Sequence, residues 1–367
     1  TAGGVNPNSV HLAPTEASPT MNSVLSCVLA SVAFHASLAH GFASLIAITT
    51  QTTTSCHSRN TRGEVCERNS WRLALYRKFH DYAWEKLGYD ESMRSLVPEG
   101  YESNASPARA DSTVVASLRS IDEFPSLRAA PDVNNNKSVL RLARSAFLET
   151  QTVDNNTPLV NPMTIHVLNF VLFPSTSIVD GGSPQGFPIF GADVVSLPGN
   201  KHLVALDFQP ILKVGESASP QTLLPKRYIA FEERLRDLHT KYEKSLPWGG
   251  DIPPAAQRFF SPYALWTRLA DEDAMETVQS TVLDAFKDYI DVYHDLMKSV
   301  QADVDSGRLE FEDDRDNHVM EGQHDYLNYR RTNDPARPML KRLYGDEWAE
   351  HVIQCILFPE LPSQSNQ

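Results

Sequence analysis

TIHVLNFVLF (Thr164–Phe173), IFGADVVSL (Ile189–Leu197) and HLVALDF (His202–Phe208) are three short runs rich in Val, Leu, Ile and Phe. Gly, Pro, Asn and Asp separate them, so they read as strands. Two further runs upstream, Ser112–Ser120 and Val139–Glu149, have the same character. The connections are too short to hold crossover helices, which predicts a largely antiparallel sheet. Asp154–Pro162 reads as an exposed hairpin loop, and Gly181-Gly182-Ser183-Pro184 as a turn.

On either side of the strands the period changes. Trp71–Leu87 places Leu75, Phe79 and Tyr82/Ala83 at helical spacing. After Pro225 come a charged helix over Lys226–Lys244 and a second over Ala274–Val300. The second carries Val278, Val282, Phe286, Tyr289, Tyr293, Leu296 and Val300 as one apolar stripe, the mark of a core helix. Ser245–Leu269 is turn-rich and then strand-like. A last helical region runs from about Gln323 to Leu357, broken near Asp334-Pro335. Helix, strands, then helices predict an α+β domain whose antiparallel sheet is covered by helices. Pro98–Arg109 reads as a linker inside that domain, and the acid-rich run Asp303–Asp325 as a solvated loop and helix start.

The chain has 367 residues and a formal net charge of −13, with 41% hydrophobic and 22% charged residues. That balance is of an ordinary globular protein and carries no basic field for nucleic acid. Four cysteines are too few and too scattered for a disulfide scaffold. Cys355, among Val352, Ile353, Ile356 and Leu357, reads as a small core residue.

Residues 1–65 read as a leader, with one domain expected over 66–361. Val24–Ala47 is apolar and free of full charges, in the manner of a secretory h-region. Thr49–Arg62 is hydroxylated, basic and acid-free, like a transit peptide. An apolar leader followed by such a segment predicts two-step import into a plastid, with the mature protein in the stroma and free of membrane. A simple secretory leader is the plainer alternative.

Nucleotide and flavin loops of the G-x-G-x-x-G and G-x-x-x-x-G-K-[ST] kinds do not occur, nor does H-E-x-x-H, a paired C-x-x-C or G-x-S-x-G. No metal site is expected.

Five segments in order resemble the ferredoxin-dependent bilin reductase family: VLNFVLFP (Val167–Pro174), FPIFGADVVSLPG (Phe187–Gly199), LVALDFQP (Leu203–Pro210), the block over Leu246–Leu269, and YRRTNDPAR–ML (Tyr329–Leu340) followed by YGDEWAEHVIQCILFP. The Leu246–Leu269 block is most similar to the dihydrobiliverdin reductases that form phycoerythrobilin. The resemblance implies a three-layer α/β/α sandwich around a central antiparallel sheet. It also implies two-electron reduction of an open-chain tetrapyrrole, with electrons taken singly from reduced ferredoxin and no bound cofactor. An upstream bilin reductase is a further expected partner.

Two electrons added to a conjugated bilin require two protons, which protein acids must supply in the absence of a hydride carrier. Asp193 ends an uncharged approach on an expected central strand and matches the family's strand aspartate, a proton donor. Asp334, in T-N-D-P-A-R, matches the second aspartate; by composition alone an Asp before Pro is commonly a helix cap. Asp207 alternates with Leu206 and Phe208; it is read as facing the other side, as a structural or supporting group. Asn169 stands where phycocyanobilin-forming members have His, which argues against four-electron chemistry; its amide is expected to donate to a lactam oxygen. Arg330 is the candidate contact for a bilin propionate, and Trp248 matches a family aromatic near the pocket. Ferredoxin is acidic, so a local basic patch is required. Arg330, Arg331, Arg337, Lys341 and Arg342 form one candidate, and Lys226, Arg227, Arg234 and Arg236 another. The resemblance points first to reduction of 15,16-dihydrobiliverdin to phycoerythrobilin. The alternatives are a sister reductase acting on biliverdin and a non-catalytic bilin carrier.

Overall fold

The computed structural model describes residues 75–88, 97–108, 112–121, 138–152, 165–211, 223–312 and 317–360. The leader, Cys66 and the Asp154–Pro162 loop lie outside the described residues.

Chain order begins with helix α1 (Arg77–Leu87), then strands β1 (Ser103–Ala105), β2 (Ser112–Ile121), β3 (Leu140–Thr152) and β4 (His166–Pro174). A small hairpin, β5 (Ile178–Asp180) and β6 (Ser183–Pro184), precedes β7 (Ile189–Leu197) and β8 (Lys201–Gln209). Next come α2 (Ile229–Tyr242), α3 (Pro254–Gln257), β9 (Leu265–Leu269) and α4 (Ala274–Thr277). α4 runs through a π-turn, Val278–Val282, into the long α5 (Leu283–Asp305). The chain ends with β10 (Glu310–Phe311), α6 (His318–Asn333), α7 (Arg337–Tyr344), α8 (Asp346–His351) and a second π-turn, Val352–Leu357.

Seven strands form one antiparallel sheet in the order β1-β2-β3-β4-β7-β8-β9. Residues directly opposite in antiparallel strands share a face. The register therefore sorts the sheet into two faces. Phe170, Ala192 and Leu206 stand on one; Asn169, Asp193 and Ala205 stand on the other. The first face packs on α1 and α5, where the apolar stripe of the long helix is buried throughout. Phe286 lies 5.3 Å from Phe79, 5.5 Å from Phe170 and 6.0 Å from Phe190. Aromatic contacts of this kind contribute about 0.5–1.5 kcal/mol each beyond simple burial. α2 forms the outer flank of this layer, with Tyr242 donating to Asp288 at 2.6 Å.

The second face is covered by α6, α7, α8 and the final π-turn. Phe173 meets Tyr326 at 6.0 Å, Tyr344 bonds Thr150 at 3.0 Å, and Arg144 donates to the carbonyls of Cys355 and Ile356. Helices on both faces of the sheet give the α/β/α sandwich expected from the sequence. α6 approaches closely enough that a Cβ on Gly322 would lie 1.6 Å from the Ile211 carbonyl oxygen, so no larger residue fits there.

Several local readings change. β5, β6 and β10 form a second, three-stranded sheet that the sequence did not announce. Its tight turn uses Gly181 and Gly182 at φ 56° and 79°. Asp303, placed by composition in a solvated run, is buried and receives Arg308 at 2.7 Å, Tyr228 at 2.6 Å and Arg227 at 3.3 Å. Cys355 is exposed, because the π-turn points Val352, Ile353, Ile356 and Leu357 inward instead. On the α1 face, Tyr76, Ser196 and His202 form a buried chain with links of 2.6 and 2.7 Å. Burial pushes the nearby imidazoles of His166 and His202 down to about 4.

Candidate active site

The centre of the second face holds four small or polar residues in one row across four strands: Ala146, Asn169, Asp193 and Ala205. The two alanines leave space on either side of the paired Asn and Asp. Asn169 Nδ2 donates to Asp193 Oδ1 at 2.6 Å. That bond fixes the amide's orientation, since only its nitrogen can donate to a carboxylate. Asn169 Oδ1 is thereby left buried and without a partner.

Arg330 reaches the row from α6, and its Nη2 donates to Asp193 Oδ2 at 2.7 Å. The Arg330 guanidinium also lies 4.6 Å from the Phe358 ring centroid and 6.0 Å from that of Tyr326. Burial works against its charge, but Asp193, Tyr326 and Asp334 outweigh that and hold it cationic. Burial pushes the Tyr326 hydroxyl up to about 12. The pair is not sealed: the Asp193 side chain is 26% exposed and that of Arg330 18%.

Asp334 follows Asn333, the last residue of α6, in extended geometry at ψ 122°. A residue before proline is driven out of the helical region, which ends the helix at this point. Its Oδ1 accepts from the Ala336 N–H at 2.8 Å, so it does cap the next turn, as the plain reading of Asp-Pro held. It is also buried. Burial pushes its carboxyl up to about 6, against the pull of Arg330. The structure thus brings Asn169, Asp193, Arg330 and Asp334 into one electrostatic group.

Asp207 does not face the other way. It pairs with Gly191 in register, which puts it on the Asp193 face, one strand over. It is buried and accepts from Ser261 Oγ at 2.5 Å and from the Ser261 N–H at 2.8 Å. Burial pushes it up to about 7. These bonds tie β8 to the loop before β9, a structural role. The Ser261 partner was not anticipated, since nothing local marks a serine 54 residues away as the donor.

Trp248 is not part of the cluster. Its backbone bridges Thr267 beyond β9, three strand spacings or roughly 14 Å from β7. It is 55% exposed and lines a surface depression of about 370 Å3 with His239, Glu243, Lys244, Leu246 and Trp266. The two basic clusters are largely spent on internal bonds. Arg337 and Lys341 pair with Glu350, and Arg331 donates to the Phe358 carbonyl. Arg227 and Arg234 pair with Asp180 and Asp295.

A family model described as ferredoxin-dependent bilin reductase matches residues 159–359. A phycoerythrobilin:ferredoxin oxidoreductase of Nostoc punctiforme is 33% identical over 290 residues, covering 78% of this chain and 93% of that protein. One from a Synechococcus species is 42% identical over 193 residues, covering 52% of this chain and 65% of its own. Among solved structures, phytochromobilin synthase from tomato, in complex with biliverdin, superposes with a TM-score of 0.52 at 26% identity. That match covers 77% of this chain and 82% of the tomato protein.

Proposed function

The chain belongs to the ferredoxin-dependent bilin reductase family, and from that premise we propose that it reduces 15,16-dihydrobiliverdin to phycoerythrobilin, with Asp193 and Asp334 as proton donors. The observation that carries this reading is the convergence on Asp193 of the Arg330 guanidinium, the nearby Asp334 carboxyl and the Asn169 amide, which stands where proton-shuttling relatives have a histidine.

The chemistry is two electrons, delivered one at a time by ferredoxin, and two protons. The first electron leaves the bilin with an odd electron, which the second then pairs. Asp334 is suited to give a proton near neutral pH, because burial disfavours its ionised form. Asn169 orients the ring system. Its unpartnered atom is the carbonyl oxygen, which suits an N–H of the tetrapyrrole better than the lactam oxygen first expected. Arg330 is the cation available to a propionate carboxylate. Trp248, beyond β9, is assigned none of these roles.

A second reading, reduction of biliverdin itself, draws support from the biliverdin complex of the tomato relative. A carrier without catalysis would keep Arg330 and have no use for two acids. The dihydrobiliverdin substrate requires an upstream two-electron bilin reduction, so an upstream reductase belongs to the same proposal. So do a plastid stroma location, removal of residues 1–65 and a single working domain over 66–361; the stretch from Met21 to Gly63, which holds no Asp or Glu, supports the import reading.

The test is anaerobic turnover with reduced ferredoxin, followed by absorption. A blue-shifting product from 15,16-dihydrobiliverdin alone supports the proposal. Turnover of biliverdin moves the substrate to the second reading, and binding without turnover leaves the carrier.

A further inference from the structure

In the substrate-free protein both Asp193 oxygens accept hydrogen bonds, one from Asn169 and one from Arg330. Neither donor group can accept in return, so this arrangement describes a carboxylate with no proton to give. Arg330 is the sole cation within ion-pair distance of Asp193 among the described residues. It is held by one side-chain bond and by two aromatic faces that impose little direction. A bilin brings two propionate carboxylates to this opening, each able to take a guanidinium in paired hydrogen bonds.

We infer that Arg330 is a counter-ion switch: it holds Asp193 ionised until a bilin propionate takes it over, whereupon Asp193 binds a proton from solvent. This deepens the proposed function and rests on its bilin site. The step balances simply. One proton leaves water and joins a carboxylate oxygen, the guanidinium stays charged, and no electron moves. The neutral carboxyl then stands ready before ferredoxin arrives, so substrate binding and proton loading are one event.

The surroundings favour this outcome. Charged and titratable groups facing the pair are Tyr326 and Tyr329 from α6, Asp334 after it, Arg337 from α7, and Asp207 from β8. Once Arg330 turns to the substrate, Asp193 faces Asp334 and Asp207 on a half-buried sheet surface, where a second negative charge is disfavoured. By reciprocity, a binding event that takes up a proton weakens as pH rises, by up to about tenfold per pH unit for one proton.

The experiment is calorimetric titration of the full chain with 15,16-dihydrobiliverdin, anaerobically and without ferredoxin, in buffers of different ionisation enthalpy near pH 7.5. Wild type is expected to take up about one proton per bilin. Asp193→Asn should lower the uptake by about one and remove a new carboxylic-acid band from the infrared difference spectrum. Asp334→Asn removes one of the two facing carboxyls and should lower that uptake less than Asp193→Asn does. Arg330→Lys keeps a counter-ion and should retain the uptake, whereas Arg330→Gln leaves no guanidinium for a propionate to draw away from Asp193 and should lose it. Tight binding by wild type with no proton uptake, or uptake that survives Asp193→Asn, overturns the switch alone. Absence of binding by either 15,16-dihydrobiliverdin or biliverdin overturns the functional reading and the switch with it.

Discussion

Replacing Asp207 by Asn should change how stability depends on pH, and the size of the change follows from its surroundings. Asp207 is buried and its carboxyl is pushed from 3.8 to about 7. A folded-state value above the unfolded one means that the native protein binds more protons than the denatured chain between those limits. The stability contributed by the protonated form is therefore complete below pH 3.8 and lost as pH rises through about 7. Integrated from pH 5 to 8.5, the loss is roughly 2.5–3 kcal/mol. Asn keeps the shape and cannot ionise, so Asp207→Asn should escape this loss while weakening the short Ser261 bond. Urea unfolding of both proteins at pH 5 and pH 8.5 measures the effect. The variant is expected to gain on wild type by roughly 2.5 kcal/mol between the two conditions, whatever its absolute stability. Taking the difference removes the His166 and His202 contributions, which run in the opposite sense. Parallel pH profiles would refute the argument, because they would mean that Asp207 ionises as easily when folded as when unfolded.

Other outcomes follow from the same geometry. Asp193→Asn should retain bilin binding and lower turnover at least ~100-fold, as expected for a lost proton donor; unchanged kcat would end that role. Gly322→Ala would ordinarily favour a helix, but here the new methyl meets the Ile211 carbonyl. It should cost about 1–3 kcal/mol in denaturant unfolding and, by displacing α6, weaken bilin binding. Folded His166 and His202 resist protonation until about pH 4, so the stability they lend above pH 6.5 should drain away between pH 6.5 and 4. A thermal melt series on His202→Asn should show a shallower acid limb than wild type. Trp248→Ala should leave kcat and stability nearly unchanged; a large fall in kcat would put the tryptophan back in the reaction.

The central strands were legible because β4, β7 and β8 are long, apolar and punctuated, and register then follows from the short connections. The stripe that runs from the first π-turn along α5 was legible for the same reason, seven residues at helical spacing, all buried. β5, β6 and β10 are two or three residues long and carry no period to detect. Cys355 defeated a helical reading because a π-turn changes the residue-per-turn count that such a reading assumes. Asp303 looked solvated because its partners Arg227 and Tyr228 lie more than 70 residues upstream. At the site, the resemblance supplied the positions of Asp193, Asp334 and Asn169, and the fit of a guanidinium to a propionate singled out Arg330. What it could not supply was the ion pair between two of them, 137 residues apart, which is a property of the packed sandwich alone.

The strand order of the large sheet has a consequence for how the chain assembles. Its neighbours occur in sequence order from β1 to β9, with only the small hairpin intervening between β4 and β7. Each strand can join the one made just before it as synthesis proceeds, without waiting for a distant segment. The wall that brings Arg330 and Asp334 to the sheet is made last, after Phe311. The scaffold should therefore form first and the reactive cleft close afterwards, so that pulse-labelled amides of β7 and β8 gain protection during refolding ahead of those in α6. Simultaneous protection would show instead that the sheet needs its last layer to hold at all.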